Sequence, residues 1–244
     1  MAARRTLALV IRTVDVFETS VVATLFTREL GKVAALAKGG RRLKSPFQGG
    51  LDLLGVSDIL LFPKASESLD LLAESVPLER FSSLRRDLAA LYAGYYIAEL
   101  LSELTDYHDP HPKLFDAARI TLRHLGDSEM RARRVWRFEL AFLRELGLLP
   151  TFDRCAQCGL AVDTGGEAIW MGLALGGVLC VDCRKGQSHV AVMRGEDLAH
   201  IRTLASPGSG WRDLDAGSRS FAVAGQTIGA LISHVLGGKP RLRP

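Results

Sequence analysis

Long apolar runs are missing from this sequence. Stretches such as Leu7–Ile11 and Val33–Ala37 fall far short of the roughly 20 residues that cross a bilayer, so no membrane partner is expected. A secretion signal is missing too, because Met1–Arg12 has neither a long apolar stretch nor a processing site. These absences read as a cytoplasmic protein. The chain has no G-x-x-x-x-G-K-[ST] loop, no G-x-G-x-x-G and no G-x-S-x-G. Lys38-Gly39-Gly40-Arg41-Arg42 has glycines and cations that suit phosphate, but it lacks the strand–loop–helix setting of a nucleotide hydrolase. Glu99, Glu103, Glu139 and Glu145 are explained by helix surfaces without a two-metal nuclease. The reading is therefore non-enzymatic. Internal repeats and a long low-complexity linker are also lacking, so the units are expected to pack together.

What remains is enough for a sizeable core. The chain has 244 residues, 48% of them hydrophobic and 24% charged, which argues against wholesale disorder. Net charge is only +4, yet it is unevenly spread. Residues 1–44 carry nine Lys/Arg against three acids, a net of +6, which leaves −2 for the other 200 residues. A concentrated cationic patch attracts a polyanion through its phosphates, which makes nucleic acid the favoured partner.

The first 75 or so residues read as short strands. Thr6–Thr13 sets Leu7, Leu9 and Ile11 on one face, and Ser20–Thr27 is rich in β-branched and aromatic residues. Arg28-Glu29-Leu30-Gly31 forms a turn, with Lys32–Ala37 returning as hairpin partner. Gly39–Gly50 reads as a long flexible loop, with Leu51–Leu61 and Glu67–Ser75 as further strands. Five strands in this length suggest a small barrel, either an oligonucleotide-binding (OB) fold or an SH3-like one. At Pro77 the period changes to helical: 78–104, Leu114–Leu125, Glu129–Leu146, Arg194–Leu204 and Ser218–Val235 are the expected helices. The expected divisions are a barrel at 1–77, a helical domain at 78–150 and 191–237, an insert at 151–190 and a loose tail at 238–244.

All four cysteines fall in two pairs, Cys155-x2-Cys158 and Cys180-x2-Cys183, with 21 residues between. Each tight turn presents two sulfurs to one ion, which favours a tetrahedral site for one structural zinc. Two disulfides, an iron–sulfur cluster and a redox dithiol are the rivals. A 30-residue insert has little core, and metal supplies the missing folding free energy. His189, His108 and His111 read as loop or surface histidines.

Lys32, Lys38, Arg41, Arg42 and Lys44 are the residues expected to touch phosphate. Phe47, beside them, either stacks on a base or anchors the loop; Phe17 and Phe26 read as core. Arg4 and Arg5 are candidates to extend the groove. Arg131, Arg133, Arg134 and Arg137 open the third helix, as a DNA or partner surface or as a solvated helix face.

Taken together, these segments resemble one family. Leu9-Val10-Ile11-Arg12-Thr13, then Val22 through Lys32, then Lys38-Gly39-Gly40-Arg41-Arg42, resemble the amino-terminal region of the bacterial RecO DNA-repair family. Leu146-Gly147-Leu148-Leu149-Pro150 before Cys155-Ala156-Gln157-Cys158-Gly159 resembles that family's approach to its zinc module. The resemblance implies an α+β protein: an N-terminal OB-like barrel packed with a C-terminal α-helical domain that carries a four-cysteine zinc insert. It implies binding of single- and double-stranded DNA, strand annealing, and work with RecR and single-strand-binding protein to load RecA at the nucleoid. DNA contacts carry over to Lys32, Lys38, Arg41 and Arg42, with Lys44 a physical extension. The rival reading is a protein adaptor in a repair complex with little DNA affinity of its own.

Overall fold

Alternation of apolar and polar residues builds the first sheet. In β2 (Ser20–Thr27) Val21, Ala23 and Leu25 point inward, and in β3 (Gly31–Ala37) Val33, Ala35 and Ala37 do the same. They meet Ala8 and Val10 of β1 (Arg4–Val16), Ile59 and Leu61 of β4 (Val56–Phe62) and Leu72 of β5 (Asp70–Glu79) in one core. The computed structural model describes residues 2–42, 44–64, 69–166 and 168–244. The first residues of the expected strand Glu67–Ser75, and Leu43 of the expected loop, lie outside them.

The strands close in the order β1–β2–β3–β5–β4 and back to β1. Only β3 and β5 run parallel, over Ala35–Ala37 against Asp70–Leu72; the other pairs are antiparallel. Of the two small barrels open at the level of sequence pattern, this order defines the OB-like one.

Strand boundaries differ from the expectation: β1 runs over Arg4–Val16 rather than Thr6–Thr13, β4 begins at Val56 rather than Leu51, and the largest consequence is at β5. β5 runs through Pro77 to Glu79, so the helical period does not begin there. Beyond Leu72 only β4 pairs with β5, and Pro77 sits on that strand without a second ladder to break. The first helix, α1 (Leu88–Leu104), starts ten residues later than expected, where the Asp87 carboxylate accepts the Ala90 N–H at 3.1 Å. α2 (Pro112–His124) follows, and its Phe115 ring lies 6.4 Å from that of Phe26. Arg28 donates to both carboxylate oxygens of Asp116 at 3.0 Å, holding β2 to α2.

The chain divides into two units, Met1–Arg131 with Arg241–Pro244, and Ala132–Pro240. The first holds the barrel, α1 and α2. In it the backbone N–H groups of Arg241 and Leu242 donate to the Glu99 carboxylate at 2.8 and 3.2 Å, so the end of the tail is tied down. The second unit holds most of α3 (Arg131–Glu145), then α4 (Gly195–Ala205) and α5 (Arg219–Val235). It also carries a small sheet of β6 (Ile169–Gly172), β7 (Gly177–Leu179) and β8 (Val190–Met193), in the order β7–β6–β8. Leu140, Phe142 and Leu143 of α3 are fully buried. No helix among the described residues is long and apolar enough to cross a membrane.

The β2–β3 turn shows how tightly the barrel meets the segment after α1. Gly31 has φ +71°, and a Cβ built there would overlap the Asp109 backbone. Gly39 shares that φ but would meet only the Arg42 side chain, at 3.2 Å. Gly31→Ala should therefore cost on the order of 3 kcal/mol and Gly39→Ala about 1 kcal/mol in urea unfolding. Equal losses would contradict this packing.

Candidate nucleic-acid interface and four-thiol cluster

The connection from β3 to β4 carries most of the expected phosphate contacts. Lys38, Arg41, Arg42 and Lys44 are all exposed on it. It is tethered rather than slack. Arg41 N–H donates to the Thr19 carbonyl at 2.9 Å, Arg42 N–H to that of Gly39 at 3.0 Å, and Arg41 Nη1 lies 3.5 Å from Asp15 Oδ2. Further on, Phe47 inserts into the barrel core at 3% exposure, and the Gly50 carbonyl accepts the hydroxyls of Ser57 and Ser75 at 2.9 and 2.7 Å. Of the two roles open to Phe47, the anchor is what the structure has; its ring is not available to a base.

Lys32 departs from the expectation most sharply. It is 6% exposed, and Nζ donates to the carbonyls of Ser102, at 2.6 Å, and Thr105, at the end of α1. The ammonium also lies 4.8 Å from the Tyr107 ring centre. Burial pushes its pKa below that of an ordinary lysine, against the pull of Asp106 and Glu103. Lys32 thus ties β3 to the C-terminus of α1, where a cation complements the helix dipole, and does not face phosphate.

Arg4 and Arg5 do not extend the patch. β1 is 13 residues long, which sets them on the order of 40 Å of strand away from the β1–β2 turn. Arg5 is moreover paired with Asp58 at 2.8 Å and Glu74 at 2.9 Å.

The arginines of α3 are spent inside the molecule. Arg131 pairs with Asp87 and donates to the Leu125 carbonyl at 2.8 Å. Arg133, 8% exposed, donates to the Leu214 carbonyl and stacks over Phe221 at 5.1 Å. Arg134 lies 5.6 Å and Arg137 4.9 Å from the centre of the Trp211 ring. Arg137 also donates to the carbonyls of Leu204 and Ser206 at 2.8 and 3.0 Å, where α4 ends. The reading of this series as a DNA or partner surface is corrected on that ground: its cations satisfy helix ends and ring faces.

Phe17 is the aromatic that sequence reasoning missed. Its expected place was the core, but it stands 86% exposed in the β1–β2 turn, whose Thr19 carbonyl holds Arg41. Phe26 is fully buried, as expected. The signal lay in position: Phe17 falls between two strands, where a side chain has no sheet face to join.

In the second unit the four cysteines come together. Their sulfurs all lie within 4.8 Å of one another, with Cys158 Sγ and Cys180 Sγ 3.8 Å apart and no sulfur bonded to another. A tetrahedron of bonds near 2.3 Å has edges of about 3.8 Å, so the donor set fits a four-coordinate metal ion. Cys180 directly follows β7, and the Cys183 N–H donates to its sulfur at 3.5 Å. Burial pushes the Cys155 thiol up, but backbone N–H groups of Cys180, Cys158 and Gln157 outweigh it and bring it to about 6. Hydrogen bonds to Cys180 and Cys158 push Cys183 up to about 12. Four sulfurs this close cannot all ionise without a cation among them. His189 is outside the cluster, its ring 6.5 Å from that of His234. His111 Nε2 is 3.1 Å from Asp109 Oδ2, and the His108 N–H donates to the Lys32 carbonyl at 2.9 Å.

An OB-like barrel with a cationic β3–β4 connection, joined to helices that carry a four-cysteine module, defines a class of domain arrangement rather than an activity. Comparison with known proteins supplies the rest. Residues 1–81 match the family model described as Recombination protein O N terminal, and residues 85–244 match Recombination protein O C terminal. DNA repair protein RecO of Rhodopirellula baltica is 44% identical over 200 residues, 82% of this chain and 74% of that protein. The RecO proteins of Salinibacter ruber and Myxococcus xanthus are 33% and 32% identical, over 89% and 94% of this chain and 86% and 91% of theirs. The chain belongs to the RecO family, whose role is that of a mediator in DNA repair and recombination.

The sorting of cations by burial can be tested directly. Lys32→Ala should destabilise the protein by on the order of 2 kcal/mol in urea unfolding, since it strands two carbonyls at a helix end. Lys38→Ala should change stability by no more than about 0.5 kcal/mol. The reverse ranking would overturn the assignment.

Proposed function

We propose that this chain binds single- and double-stranded DNA through Lys38, Arg41, Arg42 and Lys44 and anneals complementary strands. In this reading it acts with RecR and single-strand-binding protein to promote RecA loading, and it performs no covalent chemistry. The observation that carries the reading is the exposure of four cations on one tethered turn at an end of the barrel. Such a turn grips phosphate without reading sequence, and base pairing between the captured strands supplies the specificity. Holding two strands side by side raises their local concentration. Duplex formation is already favourable, so no nucleotide hydrolysis is needed.

Four phosphate contacts give a salt slope of roughly −3 for single strands. Reversal of three of them (Lys38→Glu, Arg41→Glu, Arg42→Glu) should lower DNA affinity on the order of 100-fold at low salt and slow annealing with it. Unchanged binding by a folded triple variant would move the site elsewhere. A wild-type protein that holds its protein partners but no DNA would favour the adaptor reading.

We further propose that the four thiols hold one structural zinc. A sheet of four, three and four residues carries too little core to fold this module alone, and no position of a four-thiolate shell is open to substrate. Cys155→Ser should reduce bound zinc from one ion per chain to almost none and lower the unfolding temperature by about 5 °C or more. Unchanged metal content by mass spectrometry, with an unchanged melting curve, would exclude the site.

A further inference from the structure

Among the residues of the barrel unit, Phe17 is under two constraints that nothing in its surroundings offsets. Its backbone is left-handed, with φ 51°, a conformation that bulky side chains adopt rarely and at a cost in strain. Leu54 and Phe81 also have positive φ, but they are 3% and 8% exposed and gain burial in return, and His108, exposed at φ 61°, gains a hydrogen bond from its N–H to the Lys32 carbonyl at 2.9 Å. Phe17 gains none, since 86% of it faces solvent. Glycine or asparagine would make the same three-residue turn between Val16 and Ser20 without the strain. A strained, exposed ring held at a fixed point is the pattern of a residue kept for what it touches.

Its neighbours indicate what that is. The Thr19 carbonyl accepts Arg41 N–H at 2.9 Å, and Asp15 lies 3.5 Å from the Arg41 guanidinium, so the turn and the cationic loop are locked together. Lys38 directly follows the last β3 residue paired with this hairpin, Ala37 opposite Val21. Asp15 and Glu18 flank the ring in sequence and are themselves exposed. Asp15 is met by Arg41, but the exposed Glu18 carboxylate next to Phe17 disfavours a phosphate at the tip, while the uncharged face of a base is compatible with it. Phosphate therefore belongs on the loop, and the base on the ring.

We propose that Phe17 is a stacking platform for an unpaired nucleobase of the strand whose phosphates lie on the 38–44 loop. The inference rests on the DNA-binding reading above and goes beyond it by giving this end of the barrel, which also holds duplex, a preference for single strands. A base inside a duplex has no free face to offer, whereas every unpaired base does.

The test compares Phe17→Gly and Phe17→Trp with wild type, using oligothymidine and a duplex of equal length. Phe17→Gly relieves the backbone strain, so its urea unfolding should show stability equal to or above wild type. Its affinity for oligothymidine should fall about tenfold or more, with a much smaller loss for duplex. Phe17→Trp should retain affinity and show fluorescence quenching by oligothymidine beyond that of the wild-type tryptophans. If wild type binds oligothymidine with the salt dependence of the cationic loop, yet Phe17→Gly binds it equally well and Phe17→Trp adds no quenching, the platform is overturned and the loop stands. Retained DNA affinity with loss of a protein partner would overturn it as well, in favour of a protein contact. A wild type with no DNA affinity would remove both.

Discussion

Closure of the barrel constrains everything at the end that carries the β3–β4 connection. Because β5 lies between β3 and β4, those two consecutive strands cannot be joined by a tight hairpin. The chain must cross the end of the barrel instead, over residues 38–55. A crossing of that length needs its own anchors, and Phe47 in the core with Gly50 on Ser57 and Ser75 provides them. Between these anchors and the end of β3 the backbone is held out into solvent. That is where Lys38, Arg41, Arg42 and Lys44 sit. The topology thus creates an exposed, ordered turn, and the sequence fills it with cations.

Several cations elsewhere hold the fold together, and the difference is set by what surrounds them rather than by their number. Lys32 and the α3 arginines meet carbonyl oxygens at helix ends and aromatic faces, partners that hold a charge out of water. Arg5 meets two carboxylates on the side of the barrel. With Lys32, Arg5 and the Asp116-paired Arg28 set aside, four of the six cations left in the first 44 residues lie on a single loop, and Arg4 and Arg12 stand apart on β1. In the four-thiol module one cluster of donors that fits a metal ion sits among strands of only three and four residues.

Much of this was legible in the chain. Ser20–Thr27 was marked by its β-branched and aromatic residues and by the Arg28–Gly31 turn after it, and is a strand over the same span. The four cysteines announced their own cluster, because spacing alone forces each pair into one turn. The resemblance to RecO spanned both family models. What was not legible depended on the third dimension. Pro77 looks like a strand breaker until the missing neighbour of β5 is known. Lys32 looks like its neighbour Lys38, six residues on, because sequence does not show which end of β3 meets α1. Phe17 looks like core by composition and is the most exposed of the large apolar side chains noted on the surface.

The central claim is that DNA lies on the loop after β3 and not on the basic sequence as a whole. Lysine acetylation followed by mass spectrometry, with and without saturating single-stranded DNA, measures this site by site. Lys38 and Lys44 should react readily in the free protein and be protected by DNA, Lys32 should be slow in both states, and Lys64 and Lys185 should not change. Protection confined to lysines outside the loop, or equal reactivity of Lys38 and Lys44 with DNA bound, would contradict the account.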